Sequence, residues 1–183
     1  AFHKVLKKFP ASKLLIIGGG KTSSEKKLES GEIDHLLSII KNLKIESKVL
    51  FMGPKQQKQL NKYYNEADLV VVPSYYEPFG IVPVESMACG TPVVVSKTGG
   101  LKYTVKNGLT VHLSKPRNYR DLARKIILTL RNGKNYYSHN CLRRVKKCFT
   151  WEGIAKAYYK YLNNIIKTKG YAKKEAANCR RCV

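Results

Sequence analysis

Two valine runs set the frame of this chain. Leu69-Val70-Val71-Val72 is an apolar, β-branched run closed by Pro73, and Val93-Val94-Val95 is a second, followed by Gly99-Gly100. Between them lie a polar, aromatic and glycine-containing loop, Ser74 to Gly80, and a short helical pattern, Ile81 to Ala88. Strand, loop, helix, strand is the unit that builds a parallel sheet, because parallel neighbours need a crossover connection. Open α/β sheets bind ligands outside the carboxyl ends of their strands. The loop after Pro73 is therefore where chemistry is expected.

The rest of the chain repeats the alternation. Phe2, Val5, Leu6 and Phe9 share one helical face that ends at Pro10. Leu14 to Ile17 reads as a buried strand, Lys21 to Gly31 as a polar surface loop, and Ile33, Leu36, Leu37, Ile40 and Leu43 as a helical stripe. Val49 to Met52 is a strand stopped by Gly53-Pro54, and Leu60, Tyr63, Tyr64 and Ala67 recur at helical spacing. Beyond Gly100 come a brief helix near Leu101 to Lys106, a turn at Asn107-Gly108 and a short strand, Thr110 to Leu113. Helices follow over Asp121–Leu130, Asn135–Cys148 and Glu152–Lys167. This order predicts an α/β fold, a Rossmann-like parallel sheet with helices on both faces. With no repeat and no low-complexity linker, one domain is expected over residues 1–168, with a basic flexible tail over 169–183.

Composition removes several classes. A chain of 183 residues with 43% hydrophobic content can bury one sizeable core, and disorder is not expected. No apolar run approaches the roughly 18 residues needed to span a bilayer, and no signal-peptide pattern opens the chain. The formal charge of +23 admits a nucleic acid, an anionic membrane surface or an anionic substrate as partner. Of the 35 basic residues 27 are lysine and 8 arginine. Specific phosphate and base readers favour arginine, so the bias argues against specific nucleic-acid binding and for a solvated lysine face.

Five cysteines, unevenly spaced, make no disulfide framework. Cys179-x-x-Cys182 lacks the second ligand pair of a zinc site, so no metal is expected and the thiols read as reduced, in a cytoplasmic protein at most peripheral at the membrane. His3, His35, His112 and His139 show no ligand spacing and are expected at the surface or at an edge. Trp151 is expected as a packing anchor. Tyr75 and Tyr76 either pack over a ligand or fill their loop.

Two phosphate-binding motifs fail at Gly18-Gly19-Gly20. A P-loop ending in Gly20-Lys21-Thr22 requires glycine at position 15, where Leu15 stands, and the dinucleotide fingerprint requires a third glycine where Ser23 stands. The cluster reads as a tight turn with a close backbone approach.

Glu77 and Glu85 are the remaining candidates. Such a pair serves as an acid/base couple for hydrolysis or as acceptors for a hydroxyl-rich ligand. Glu85 also admits a bland reading, an acid favoured by the dipole in a helix's first turn. Backbone N–H groups around Gly80, Ile81 and Val82 offer an anion site at the same helix start. A ligand with both phosphate and sugar fits these groups together.

Residues 77–85, Glu-Pro-Phe-Gly-Ile-Val-Pro-Val-Glu, resemble the Glu-x7-Glu donor motif of retaining GT-B glycosyltransferases, specifically glycosyltransferase family 4. The surroundings agree: Ala67-Asp68 before the valine run, Pro73-Ser74, Met87-Ala88-Cys89-Gly90-Thr91-Pro92-Val93-Val94, Gly99-Gly100 and Asn107-Gly108. The similarity extends from about Phe2 to Tyr161. It implies the C-terminal, nucleotide-sugar-binding half of a GT-B fold. Glu77 would hold donor-sugar hydroxyls and be the catalytic-site acid, with Pro78 beside it. Amides of Phe79, Gly80 and Ile81 would meet the sugar or diphosphate, Glu85 the ribose, and Gly18 and Gly19 would line the cleft. The base is expected near Met52-Gly53. UDP-glucose stands first among donors, with no cofactor and no metal.

The resemblance also implies absences. The acceptor domain with its histidine, and the Arg and Lys that neutralise the diphosphate, belong upstream of Ala1, so the chain is expected to be a piece of a longer enzyme and poorly active alone. The rival expectation is a non-catalytic basic module that binds membrane or nucleic acid on the same scaffold.

Overall fold

A computed structural model gives the structure of residues 1–18 and 23–168. They form α1 (Phe2–Leu6), β1 (Leu14–Ile17), α2 (Ser23–Asn42), β2 (Val49–Gly53), α3 (Gln57–Glu66), β3 (Val70–Val72) and α4 (Ile81–Ala88). These are followed by β4 (Val93–Ser96), α5 (Leu101–Thr104), β5 (Val111–Ser114), α6 (Tyr119–Asn132), α7 (Lys134–Cys148) and α8 (Trp151–Thr168). The alternation of helix and strand is as expected. One boundary is not: the segment expected as a loop over Lys21 to Gly31 is helical from Ser23 onward. Glu25, Lys26, Lys27, Leu28 and Glu29 are strong helix formers whatever their polarity, so a high charge density there does not signal irregular backbone.

Strand pairing among the described residues is parallel throughout. β1 pairs with β2, Leu14 opposite Val49. β4 lies between β3 and β5, with Val70 opposite Val93 and Val93 opposite Val111. Every residue of β4 is buried, which is why it reads as an unbroken valine run: a central parallel strand is covered on both faces. Val94 packs in a core cluster with Val5 of α1 and Ile126 of α6, flanked by Leu69, Val71, Leu122 and Leu130. A second cluster joins Ile40, Ile45 and Val49, with Leu14 and Ile16 against it. Phe2 packs on both. Helices on both faces of parallel strands give the Rossmann-like α/β fold that the sequence predicts.

The chain separates into two compact units, Ala1–Leu142 and Arg143–Val183, with the boundary inside α7; the sequence suggested one domain to residue 168. In the second unit the Thr150 hydroxyl accepts from the Gly153 amide at 3.2 Å and opens α8, where Lys156 pairs with Glu152. Trp151, expected as a packing anchor, is 86% exposed and anchors no core. The apolar stripe beside it, Ile154, Tyr158, Tyr161 and Leu162, is exposed too. The tail over 169–183, with Cys179 and Cys182, lies outside the described residues.

His112 lies on β5, an edge strand of its sheet, as one of the two expected placements has it, but it is buried there, and its Nε2 is 3.2 Å from the Tyr137 hydroxyl of α7. Asn132 donates to the same hydroxyl at 2.7 Å. Strand β5 is the last of its sheet, but α6 and α7 cover it, so a residue there need not face water.

Candidate functional site: the loop between β3 and α4

Parallel register brings two loops together. Val72 and Val95 are opposite partners, so the loop leaving β3 and the turn leaving β4 emerge side by side at the carboxyl edge of the sheet. There the Gly100 amide donates to the carbonyl oxygen of Glu77 at 2.8 Å, and the Thr98 hydroxyl donates to the Tyr75 carbonyl at 3.0 Å. A Cβ on Gly99 would collide with the Glu77 carbonyl, and one on Gly100 with the Pro78 carbonyl. Gly99-Gly100 is thus a cradle for residues 77–79. Only a residue without a side chain fits.

The loop closes on itself at Gly80. Its φ is 89°, and a Cβ there would lie only 2.6 Å from Leu101 Cδ2, so the position is reserved for glycine. The Gly80 amide donates to Glu77 Oε1 at 3.1 Å. That corrects one expectation: the Gly80 N–H is held by Glu77 and not free for an anion. The half-buried Glu77 carboxylate thereby sits at the start of α4, where negative charge is favoured. The next amides of α4 have no carbonyl partner within the helix, as at every helix start.

Glu85 lies in the second turn of α4, whose first turn carries no acid. The bland reading of a dipole-favoured first-turn carboxylate therefore fails. Its two oxygens are held from α3 instead: Gln57 Nε2 donates to Oε1 at 3.0 Å and the Tyr64 hydroxyl to Oε2 at 2.9 Å. Tyr64 is itself held, its carbonyl accepting from the Thr91 hydroxyl at 2.6 Å, while Ser86 donates to the Thr91 carbonyl at 3.0 Å. Burial first, then the hydrogen bond and charge of Glu85, push the Tyr64 phenol well above its ordinary range. Among the described residues neither Glu77 nor Glu85 joins an ion pair; the pairs are Lys62–Glu66, Arg124–Asp121 and Lys156–Glu152.

Against this geometry, residues 1–147 match the family described as glycosyl transferases group 1. The chain belongs to that family. It is 37% identical over 161 residues to the uncharacterized glycosyltransferase MJ1607 of Methanocaldococcus jannaschii, covering 85% of this chain and 38% of that one. Among solved structures it is similar to the sucrose-phosphate synthase of Thermosynechococcus elongatus, with a TM-score of 0.74, 31% identity and coverage of 91% of this chain and 42% of that one. HepE of Anabaena in complex with UDP gives a TM-score of 0.73 and 26% identity, covering 88% and 44%. The same protein with UDP-glucose gives 0.69 and 25% over the same shares. The chain thus spans about two-fifths of these relatives. By family it is one of the glycosyl transferases group 1, and it has the fold of the corresponding part of the GT-B glycosyltransferases it is similar to.

For this family member the expected site residues fall as follows. Glu77, Pro78, Phe79, Gly80, Ile81 and Glu85 come together on one loop and helix. Phe79 and Ile81 are about half exposed or more, at 51% and 61%, while Gly80 is buried. Gly18 follows β1, and its amide donates to the Gly53 carbonyl at 3.3 Å, which places it beside Met52-Gly53. Gly19 lies outside the described residues. Tyr75 and Tyr76 do not fill the loop: both are exposed, and the Arg117 guanidinium lies 5.1 Å from the Tyr75 ring. Gln57, Tyr64, Thr98 and the Gly99-Gly100 cradle escaped the sequence reading as site residues. Two grooves lie elsewhere, one bounded by Leu37, Val49 and Phe51 and one by Lys4, Arg120, Arg124 and Arg131. Neither includes the acid pair.

Proposed function

We propose that this chain is the nucleotide-sugar-binding, C-terminal half of a retaining family 4 glycosyltransferase, and that the intact enzyme moves a glucosyl unit from UDP-glucose to a hydroxyl acceptor. The observation that carries the reading is a pair of carboxylates, Glu77 in the loop and Glu85 on α4, that sit on one loop–helix unit at the sheet's carboxyl edge and, among the described residues, join no ion pair. An acid/base couple for hydrolysis is the poorer reading, since both acids already accept hydrogen bonds from neutral neighbours, Glu77 from the Gly80 amide and Glu85 from Gln57 and Tyr64. Glu77 would accept from sugar hydroxyls. Glu85 would accept from the ribose, and the α4 amides would face the diphosphate.

In the reaction the acceptor oxygen attacks the anomeric carbon from the face that UDP leaves. The carbon–phosphate-oxygen bond breaks as the new glycosidic bond forms, and the acceptor proton passes to the departing diphosphate. No cofactor or metal is required if basic side chains neutralise that diphosphate. Those cations and the acceptor site are assigned to the part of the relatives' length that this chain does not span.

Isothermal titration with UDP and UDP-glucose tests this. Binding of both, lost in Glu85→Ala, is the expected result. No UDP binding at millimolar ligand, together with tight salt-sensitive binding to DNA or anionic vesicles, would replace it with a basic binding module.

A further inference from the structure

A polar seam joins α3 to α4. Gln57, Asn61 and Tyr64 recur at the spacing that lines one helix face, and they meet Glu85 on α4 and Cys89, the residue that caps its C-terminal end. Gln57 and Tyr64 donate to the two oxygens of Glu85, and the Cys89 thiol donates to Asn61 Oδ1 at 2.9 Å. In a chain of net charge +23, a half-buried carboxylate held by two neutral donors and, among the described residues, by no cation is unusual. Neutral donors fix its orientation without neutralising it.

The acceptor count then matters. A carboxylate offers about four lone-pair sites, and the seam occupies two of them, one on each oxygen. Two remain, again one on each oxygen, a pattern matched by two adjacent hydroxyls on one ring. Tyr64 is the fixed partner: it is 8% exposed and its backbone is tied to Thr91. Its phenol is raised by burial and by Glu85, so it stays a donor throughout the working pH range. Gln57 is the solvent-side partner.

We propose that Tyr64 is a positioning residue that, with Gln57, orients the Glu85 carboxylate so that its remaining lone pairs receive the two vicinal hydroxyls of the nucleotide ribose. This rests on the reading of Glu85 as the ribose holder given under Proposed function. Its consequence is selectivity: ribonucleotide is preferred over nucleotide lacking the hydroxyls, and the preference depends on a residue that touches no ligand.

The test compares the dissociation constants of UDP and 2′,3′-dideoxyuridine diphosphate on the 183-residue chain, on Tyr64→Phe and on Gln57→Ala, with thermal melts alongside. The wild-type chain is expected to favour UDP by about tenfold or more, the scale of hydrogen bonds to a charged group. In Tyr64→Phe that ratio should fall at least about threefold, with affinity for the dideoxy analogue unchanged. A ratio equal to wild type overturns the proposal, and so does a loss that falls equally on both ligands, which marks a merely structural tyrosine. If Tyr64→Phe fails to fold, Gln57→Ala, at an exposed position, is judged by the same ratio. A wild-type chain that binds UDP with no preference for the hydroxyls removes Glu85 from the ribose, and the proposal with it. A wild-type chain that binds no UDP overturns the functional reading first.

Discussion

The Gly100 amide donates to the Glu77 carbonyl oxygen at 2.8 Å, so the turn after β4 holds the loop after β3 in place. No strand or helix runs between Pro73 and Gly80. This contact, Thr98 on Tyr75 and Glu77 on Gly80 all help to hold the loop's conformation.

Gly100→Ala should therefore damage binding and stability together. Gly100 has an ordinary φ of −70°, so its substitution tests the collision with Pro78 alone. A loss of about 2 kcal/mol is expected on overpacking grounds. Gly99→Ala adds left-handed strain at φ +43°, about 1 kcal/mol more. Urea unfolding of both variants, with UDP titration of each, measures the two effects. Wild-type stability in Gly100→Ala would show that the cradle yields.

Glu77→Gln separates the two tasks of that side chain. The glutamine carbonyl can still accept from the Gly80 amide, and loss of charge at the helix start costs under about 1 kcal/mol. Melting should change little, and UDP affinity should stay near wild type. The extra affinity for UDP-glucose over UDP should vanish, as read by paired titrations.

These relationships bound what the residues alone could tell. The valine runs, the helical stripes and the spacing of Glu77 and Glu85 are local patterns, and they placed both the parallel strands and the loop that carries the acids. The Gly99–Glu77 and Tyr64–Glu85 contacts join segments distant in sequence, and no periodicity encodes them. The burial of His112 was not legible for a related reason: its place on an edge strand fits the sequence reading, but only the docking of α6 and α7 buries it there. Ser23 to Ser30 misled because a polar helix and a polar loop share a composition.

Asp121 is expected to be the costliest polar residue of the first unit to remove. It accepts from the Lys115 amide at 2.8 Å and from Arg124 at 2.6 Å, while its own amide donates to the Asn118 side chain at 2.9 Å. Burial alone would raise its carboxyl, but the Lys115 hydrogen bond and Arg124 outweigh it and hold the group below the usual range. Asp121→Ala should cost about 2 kcal/mol, against about 1 for Asn118→Ala, by urea unfolding. Because the folded form binds its proton less readily than the unfolded chain, this stability is present above about pH 4 and lost as pH falls further.

His112 sets a second, milder acid limit. Burial, reinforced by the Lys125 charge, lowers its pKa below the ordinary 6.5. The unfolded chain then takes up the proton first, so stability is full above about pH 6.5 and declines as pH falls below it. Melting temperatures followed from mildly alkaline to mildly acidic buffer should show that decline. His112→Gln, which does not titrate, should flatten it; an unchanged slope in the variant would assign the decline elsewhere.

On the proposed function a nucleotide diphosphate sits on the β3–α4 loop, between the two acids. Amide chemical shifts of the ¹⁵N-labelled chain, followed through a UDP titration, test it most directly. Saturable shifts should gather at Phe79, Gly80, Ile81, Glu85, Gly99 and Gly100. Shifts confined to the basic groove of Lys4, Arg120, Arg124 and Arg131, with the loop amides unmoved, would contradict it.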